Sequence, residues 1–173
     1  MNPRRQWPAA VRLHTEHEPE LVRLLLGLDR ASRVARFACA TSDAALLQHS
    51  QHALASAVWV GGIVVERQLR GLVELYDSGD NGVVEAAFLV ESGWRRRGVG
   101  TALMCAAKAW VADNGRSAVR MIFLASNWPM RRLASGAGAR IDIAFGEMIA
   151  DLSVEPAREV GSKRQGPAHD MVL

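Results

Sequence analysis

The stretch Val90-Glu91-Ser92-Gly93-Trp94-Arg95-Arg96-Arg97-Gly98-Val99-Gly100-Thr101-Ala102-Leu103 decides how this chain folds. A strand-like apolar run ends at Val90, Ser92-Gly93 breaks it, and an apolar helical pattern starts at Val99. A helix that begins this way leaves its first amides without intrahelical acceptors. Those donors, with the helix dipole behind them, make a local anion site. Gly98 and Gly100 carry no Cβ, so the backbone can close on an oxyanion. Arg95, Arg96 and Arg97 add positive charge at the rim, and Thr101 adds a hydroxyl. A diphosphate fits such a turn, held mostly by backbone donors between Arg95 and Thr101, Val99 included. Taken alone, Arg-x-x-Gly-x-Gly also fits other phosphate loops, or a run of solvated charges ahead of a helix. No Gly-Lys-Ser/Thr follows, which excludes a Walker A loop. The antiparallel pattern that precedes it speaks against a dinucleotide-binding βαβ unit.

Upstream, the polar segment Arg12 to Glu18, with Val11 and Leu13 alternating, predicts a short strand. Pro19 opens a helix whose apolar face is Leu21, Leu24, Leu25 and Leu28. This stripe serves a core or a dimer surface, the core being favoured, and a homodimer is one assembly compatible with it. Ser32 to Ala38 reads as a second helical piece, and Ser42 or Asp43 caps a third running to about Gln51. From Ala57 the β-branched residues Val58, Val60, Ile63, Val64 and Val65 predict a strand, with a bulge or bend at Gly61-Gly62. Leu69 to Tyr76 is its partner, and Asp77 to Gly82 is the hairpin turn into Val83 to Val90. Downstream, the Val99 to Asn114 helix ends at Gly115. The largely apolar run Val119 to Ala125 reads as a buried strand. Asn127 and Pro129 open another helix, and 140–145 with 147–154 form a closing hairpin around Gly146. After Glu155 the periodicity is lost, so 1–154 reads as a single domain and 155–173 as a flexible tail.

Composition bounds the classes. The 173 residues, 49% hydrophobic and 23% charged, suit one folded domain. No apolar run approaches the roughly 18 residues that span a bilayer. Met1 to Pro8 holds Arg4 and Arg5 with no apolar stretch behind them, unlike a signal peptide. Cys39 and Cys105 are too few for a disulfide framework and read as buried thiols in a reducing cytoplasm. The net charge is +3 with Lys108 and Lys163 as the lysines, so the positive charge is carried by arginine, the better bidentate phosphate ligand. Its concentration at Arg95 to Arg97 favours a compact phosphate over a nucleic-acid surface. The His14/His17 and His49/His52 spacings lack a completing ligand set, so no metal is expected.

Beyond the turn itself, Glu85-Ala86-Ala87-Phe88-Leu89-Val90, Trp94 to Gly100 and Thr101-Ala102-Leu103-Met104 resemble the fourth strand, pyrophosphate loop and following helix of the GNAT superfamily of N-acetyltransferases. Ala125-Ser126-Asn127-Trp128-Pro129-Met130 resembles that family's fifth strand and the Asn opening its next helix. Leu133 to Ala139 resembles its leucine-to-glycine ending, with Ala139 in place of an aromatic. The pattern Leu25-Leu26-Gly27-Leu28-Asp29-Arg30-Ala31-Ser32-Arg33 is similar to the early helix of bacterial protein lysine acetyltransferases. The resemblance implies an α/β fold with a mixed, mostly antiparallel sheet splayed at its centre and flanked by helices. It implies acetyl-CoA as cosubstrate, an amine acceptor (protein lysine or small molecule), and direct transfer in a ternary complex. It also implies that Phe88, Leu89 and Val90 face the pantetheine and that Asn127 hydrogen-bonds the pantetheine arm or the thioester end. Arg131 and Arg132 either reach the 3′-phosphate of coenzyme A or form a solvated helix face.

An amine with a pKa near 10.4 is protonated at neutral pH and needs a base before it attacks a thioester. Glu85, in the apolar setting of Val83, Val84, Ala86, Ala87 and Phe88, is the candidate, because a carboxylate there needs partners or a raised pKa. It also matches the position of the catalytic glutamate in the lysine acetyltransferases that the chain resembles. The alternative for Glu85 is a strand-edge carboxylate facing water or an arginine. Where the family carries a tyrosine acid, this chain has Ala134. That departure motivates an alternative function, a non-catalytic acyl-CoA-sensing module.

Overall fold

Pro19 opens the first helix at a position where its missing N–H breaks no bond. This helix, α1, spans Glu18–Leu26 in the computed structural model, which describes residues 7–80 and 82–155. Arg4, Arg5, Asn81 and the expected tail beyond Glu155 lie outside the described residues. Leu21, Leu24, Leu25 and Leu28 are all buried, so the leucine stripe belongs to the core. Asp29 caps α2 (Arg30–Phe37) by accepting from the Ser32 amide at 2.7 Å. Ser42 caps α3 (Asp43–Ser56) by accepting from the Ala45 amide at 3.3 Å.

Among the described residues, seven strands follow the β-branched and apolar runs: β1 (Val11–Arg12), β2 (Trp59–Val65), β3 (Gln68–Asp77), β4 (Val83–Val90), β5 (Ala118–Leu124), β6 (Arg140–Ala144) and β7 (Glu147–Ser153). They form one sheet in the order β1-β2-β3-β4-β5-β7-β6. Every neighbouring pair is antiparallel except β4 and β5, which are parallel. Parallel neighbours need a crossover, and α4 (Val99–Asp113) supplies it. Together with α5 (Trp128–Gly136), α4 covers one face through Leu103, Met104, Ala107, Val111 and Ala134. The other face carries α1, α2 and α3 over the β1–β4 half, with Leu21, Leu46, Leu72 and Leu89 at the contact. This is the mixed, mostly antiparallel, helix-flanked sheet expected. Among the described residues, no helix is long and apolar enough to cross a membrane.

The structure corrects several local expectations. Cys39 and Cys105 are exposed, not buried. Leu103, Met104, Ala107 and Val111 form the buried face of α4, and Cys105 lies off that phase. Cys39 follows the left-handed Ala38 (φ 58°) that ends α2. The bulge in β2 falls between Ile63 and Val64 rather than at Gly61-Gly62. Gly61 instead makes room for the Trp59 ring, which would lie 2.0 Å from a Cβ there. The third helix continues past Gln51 to Ser56, through residues that favour helix and with Ala53 buried. β1 is only two residues long, and a 3₁₀ turn at Thr15–His17 takes up the rest of the expected first strand. β5 is not covered on both faces, because Ile122 is 46% exposed.

Candidate functional site

The centre of the sheet is open. β4 and β5 pair only over Val83↔Ala118, Val84↔Val119 and Glu85↔Arg120. Beyond Glu85 each keeps its outer partner, β4 as far as Val90↔Gly71 and β5 as far as Leu124↔Glu147, but loses the inner one. Every second residue of the two diverging strands therefore turns backbone donors and acceptors into a wedge. Such groups require partners from elsewhere. Phe88 and Val90 point to the α4 side of the wedge and are half-buried, whereas Leu89 is buried toward α1.

The helix that begins at the mouth of this wedge is α4. Gly71 on β3 lets it sit down on the sheet, because a Cβ there would come within 2.9 Å of the Leu89 carbonyl and 3.0 Å of Val99. The first intrahelical bond runs from Ala102 N–H to Gly98 O at 3.0 Å. The amides of Val99, Gly100 and Thr101 thus lie ahead of the ladder and face out of the helix end. Gly98 takes φ +96°, which a side chain would strain. A Cβ at Gly100 would meet Leu133 and Val90 at ordinary contact distances, so its bare Cα faces α5 and the end of β4. A diphosphate fits these donors, and an extended amide-bearing arm fits the wedge behind them.

The three arginines before the helix do different things. Arg95 donates from Nε to Val90 O at 3.1 Å and from Nη2 to Ser32 Oγ at 2.7 Å, bridging β4 to α2. Arg96 is exposed, with φ +56°. The Arg97 guanidinium lies 5.3 Å from the centre of the Trp94 ring. Across the wedge, Asn127 caps α5, accepting from Met130 at 3.2 Å and donating to Ala35 O at 3.1 Å. It therefore ties α2 to α5 and retains one amide hydrogen for another acceptor. Arg131 stands exposed on α5 over the Trp128 ring, beside a shallow depression of about 720 Å³ also lined by Arg132, Ser135 and Gly136.

Glu85 occupies the last paired step before the strands part, opposite Tyr76 on β3 and Arg120 on β5. Val84 and Ala86 are buried on the α4 side, so Glu85 faces the other side, where α2 touches both β4 and β5. Among the described residues, its carboxylate has no hydrogen-bond or ion-pair partner. The neighbouring Arg120 is engaged elsewhere, with Asp151 at 2.8 Å and Asp80 at 2.6 Å. Hydrogen bonds to these two carboxylates hold Arg120 above the usual arginine pKa.

Sequence reasoning missed the most buried charge among the described residues. Glu74, at the centre of β3, has no exposed surface and shares the face of Glu85. Its carboxylate binds Arg36 of α2, accepts from or pairs with His49 Nε2 of α3 at 3.0 and 3.2 Å, and accepts from Tyr76 OH at 3.1 Å. Burial pushes its pKa up, but Arg36, His49 and Tyr76 outweigh burial and hold it below the ordinary value. The signal was available in Leu72-Val73-Glu74-Leu75, the same pattern of a carboxylate in an apolar strand that singled out Glu85. Tyr76, the one tyrosine of the sequence, spends its hydroxyl proton on Glu74. Burial, then the adjacent Glu74 charge, raise the phenol pKa and keep its proton in place. Ala134 is fully buried in the core.

Comparisons with known proteins agree with this fold. The model of the acetyltransferase (GNAT) family matches residues 22–138. The GNAT domain of S. lividans PAT superposes with a TM-score of 0.72 at 18% identity, covering 84% of this chain and 89% of that one. PaiA N-acetyltransferase from Thermoplasma acidophilum, solved in complex with coenzyme A, gives 0.64 at 14% identity, covering 83% and 97%. The ribosomal-protein-S18-alanine N-acetyltransferase from Escherichia coli gives 0.64 at 14%, covering 89% and 98%. No curated protein matches the chain.

Proposed function

From the premise that this chain belongs to the acetyltransferase (GNAT) family, we propose that it moves an acetyl group from acetyl-CoA to an amine by direct attack in a ternary complex. The carrying observation is the one-sided parting of β4 and β5 beyond Glu85, with the amino end of α4 at its mouth. Acetyl-CoA supplies the acetyl group as an activated thioester. The α4 amides from Val99 to Thr101 and the loop amides from Arg96 to Gly98 bind its diphosphate, whereas the Arg95 amide is spent on Ser92 O at 3.3 Å. Phe88, Leu89 and Val90 line the pantetheine arm, Leu89 through its backbone alone, and Asn127 offers its remaining N–H to it. Arg131 reaches the 3′-phosphate from α5. The domain spans residues 1–154, and the exposed thiols Cys39 and Cys105 suit a reducing, cytoplasmic setting.

Glu85 acts as the base. Its unpartnered, half-buried carboxylate takes a proton from the acceptor ammonium, directly or through water, before attack. The departing thiol has a reference pKa near 8.5 and leaves as thiolate without a strong acid, so Ala134 does not block the reaction. The acceptor is a protein lysine or a small-molecule amine. The likeness of the early helix to that of the lysine acetyltransferases supports the former.

Mass spectrometry after incubation with acetyl-CoA, a lysate and an amine library identifies the product. Glu85→Gln is expected to lower kcat by about 10²–10⁴, the range for general-base catalysis, with coenzyme A affinity unchanged. Equal losses in kcat and affinity would remove the base role. The buried Ala134 and the tethered Tyr76 support a second reading, an acyl-CoA-binding module without catalysis. Coenzyme A binding with no acetylated product from any amine would favour it.

A further inference from the structure

One contact of the diphosphate loop comes from far away in the chain. Trp7 Nε1 donates to the Arg97 carbonyl at 3.0 Å, across a sequence separation of 90 residues. The Arg97 carbonyl and the Gly98 amide belong to one planar peptide and point in opposite directions. A donor that fixes this carbonyl therefore fixes the Gly98 N–H on the side away from the indole. The loop needs such a restraint. Arg96 at φ +56° and Gly98 at φ +96° flank a segment that no helix or sheet ladder holds. Glycine, free on both sides of φ, would otherwise let the peptide turn over.

The indole is itself held. Trp7 meets Trp94 edge-to-face with ring centres 5.9 Å apart. The guanidinium groups of Arg70 and Arg97 lie over Trp94 at 4.9 and 5.3 Å. Arg70 is anchored in turn by Glu91 at 2.8 Å, at the end of β4. The fit at Gly98 is close, because a Cβ there would come within 2.9 Å of Trp7 Nε1. A rigid path thus runs from β3 and β4 through Trp94 and Trp7 to one peptide plane of the loop.

We propose that Trp7 is a positioning residue for coenzyme A, its indole N–H presetting the Arg97–Gly98 peptide so that the Gly98 amide faces the diphosphate. This rests on the reading that the loop binds that diphosphate. Presetting removes the cost of ordering a donor at the moment of binding. The effect belongs to the affinity for the nucleotide end of the ligand, not to the chemistry at Glu85.

Calorimetric titration of the full chain with coenzyme A tests this in wild type, Trp7→Phe and Trp7→Ala. Trp7→Phe keeps a ring against Trp94 and removes only the donor. It is expected to raise Kd by roughly three- to tenfold, the range of one neutral hydrogen bond. Melting temperature, acceptor KM and kcat at saturating acetyl-CoA are expected to stay at wild-type values. Wild-type affinity in Trp7→Phe overturns the proposal. So does a loss confined to Trp7→Ala that tracks a fall in melting temperature, which would give the indole a packing role alone. A wild-type chain that fails to bind coenzyme A at millimolar concentration overturns both this proposal and the reading beneath it.

Discussion

The Arg95–Thr101 loop and the cluster around Glu74 differ in how they treat charge: on the reading proposed above the first receives an anion, and the second encloses one. At Glu74 the chain supplies the anion itself and closes on it with Arg36, His49 and Tyr76, leaving no exposed surface. At the loop the chain supplies only donors, and the amides ahead of the α4 ladder open to solvent. A filled anion site is a strut. Here it pins α2 and α3 to β3 beside Glu85, and α2 is the helix that touches both β4 and β5. On the reading proposed above the loop is a receptor, and its donors need aiming because no internal charge holds them.

The contrast predicts separable failures. Emptying the filled site is the largest. Glu74→Ala strands Arg36, whose Nε already has no partner among the described residues, beside His49. Breaking a buried pair in this way costs about 3–5 kcal/mol. Denaturant unfolding is expected to show that loss, while the coenzyme A Kd of the folded fraction stays within about twofold. A matching fall in coenzyme A affinity would break the comparison, since it would couple the strut to the receptor.

Acid gives a smaller test of the same site. Because Glu74 has a folded pKa below the ordinary value, its stabilising contribution is complete above about pH 4.5 and is lost as pH falls through the folded value. The steepest acid-limb loss is therefore expected in wild type. Glu74→Gln, which cannot titrate, is expected to flatten that limb while lowering the plateau. An acid limb that keeps its wild-type slope in Glu74→Gln would assign the titration to other carboxylates.

The two regions were also unequally legible. The receptor is written in contiguous sequence, because backbone donors need only a strand end, a helix start and glycine between them. Gly98, Gly100 and the break at Ser92-Gly93 carried that reading. The strut joins residues 25 and 38 positions apart, and no local period announces such a meeting. Trp7 is more distant still. Its partner is a carbonyl, which every residue has, so only coordinates reveal the pair. The exposure of Cys105 was readable from the helical phase of Leu103, Ala107 and Val111, yet its apolar neighbours suggested burial. The parting of β4 from β5 was an expectation from resemblance, because hydrophobic pattern records burial and not whether two strands stay paired.

The smallest effect sharpens the comparison most, because two measurable quantities should move in opposite directions. Gly100 sits in the first turn of α4 without a positive φ, and a Cβ there would lie 3.5 Å from Leu133, an ordinary contact. Helix propensity favours alanine by about 0.5–1 kcal/mol, so Gly100→Ala is expected to leave stability unchanged or raise it by up to that amount. If the proposed diphosphate approaches the amides at Gly100, the same methyl crowds it, so coenzyme A is expected to bind several-fold more weakly. Thermal melts and titration on one preparation check both. If the substitution leaves the affinity intact, the anion does not approach at Gly100, and the bare Cα there serves only the packing of α4 beside Leu133.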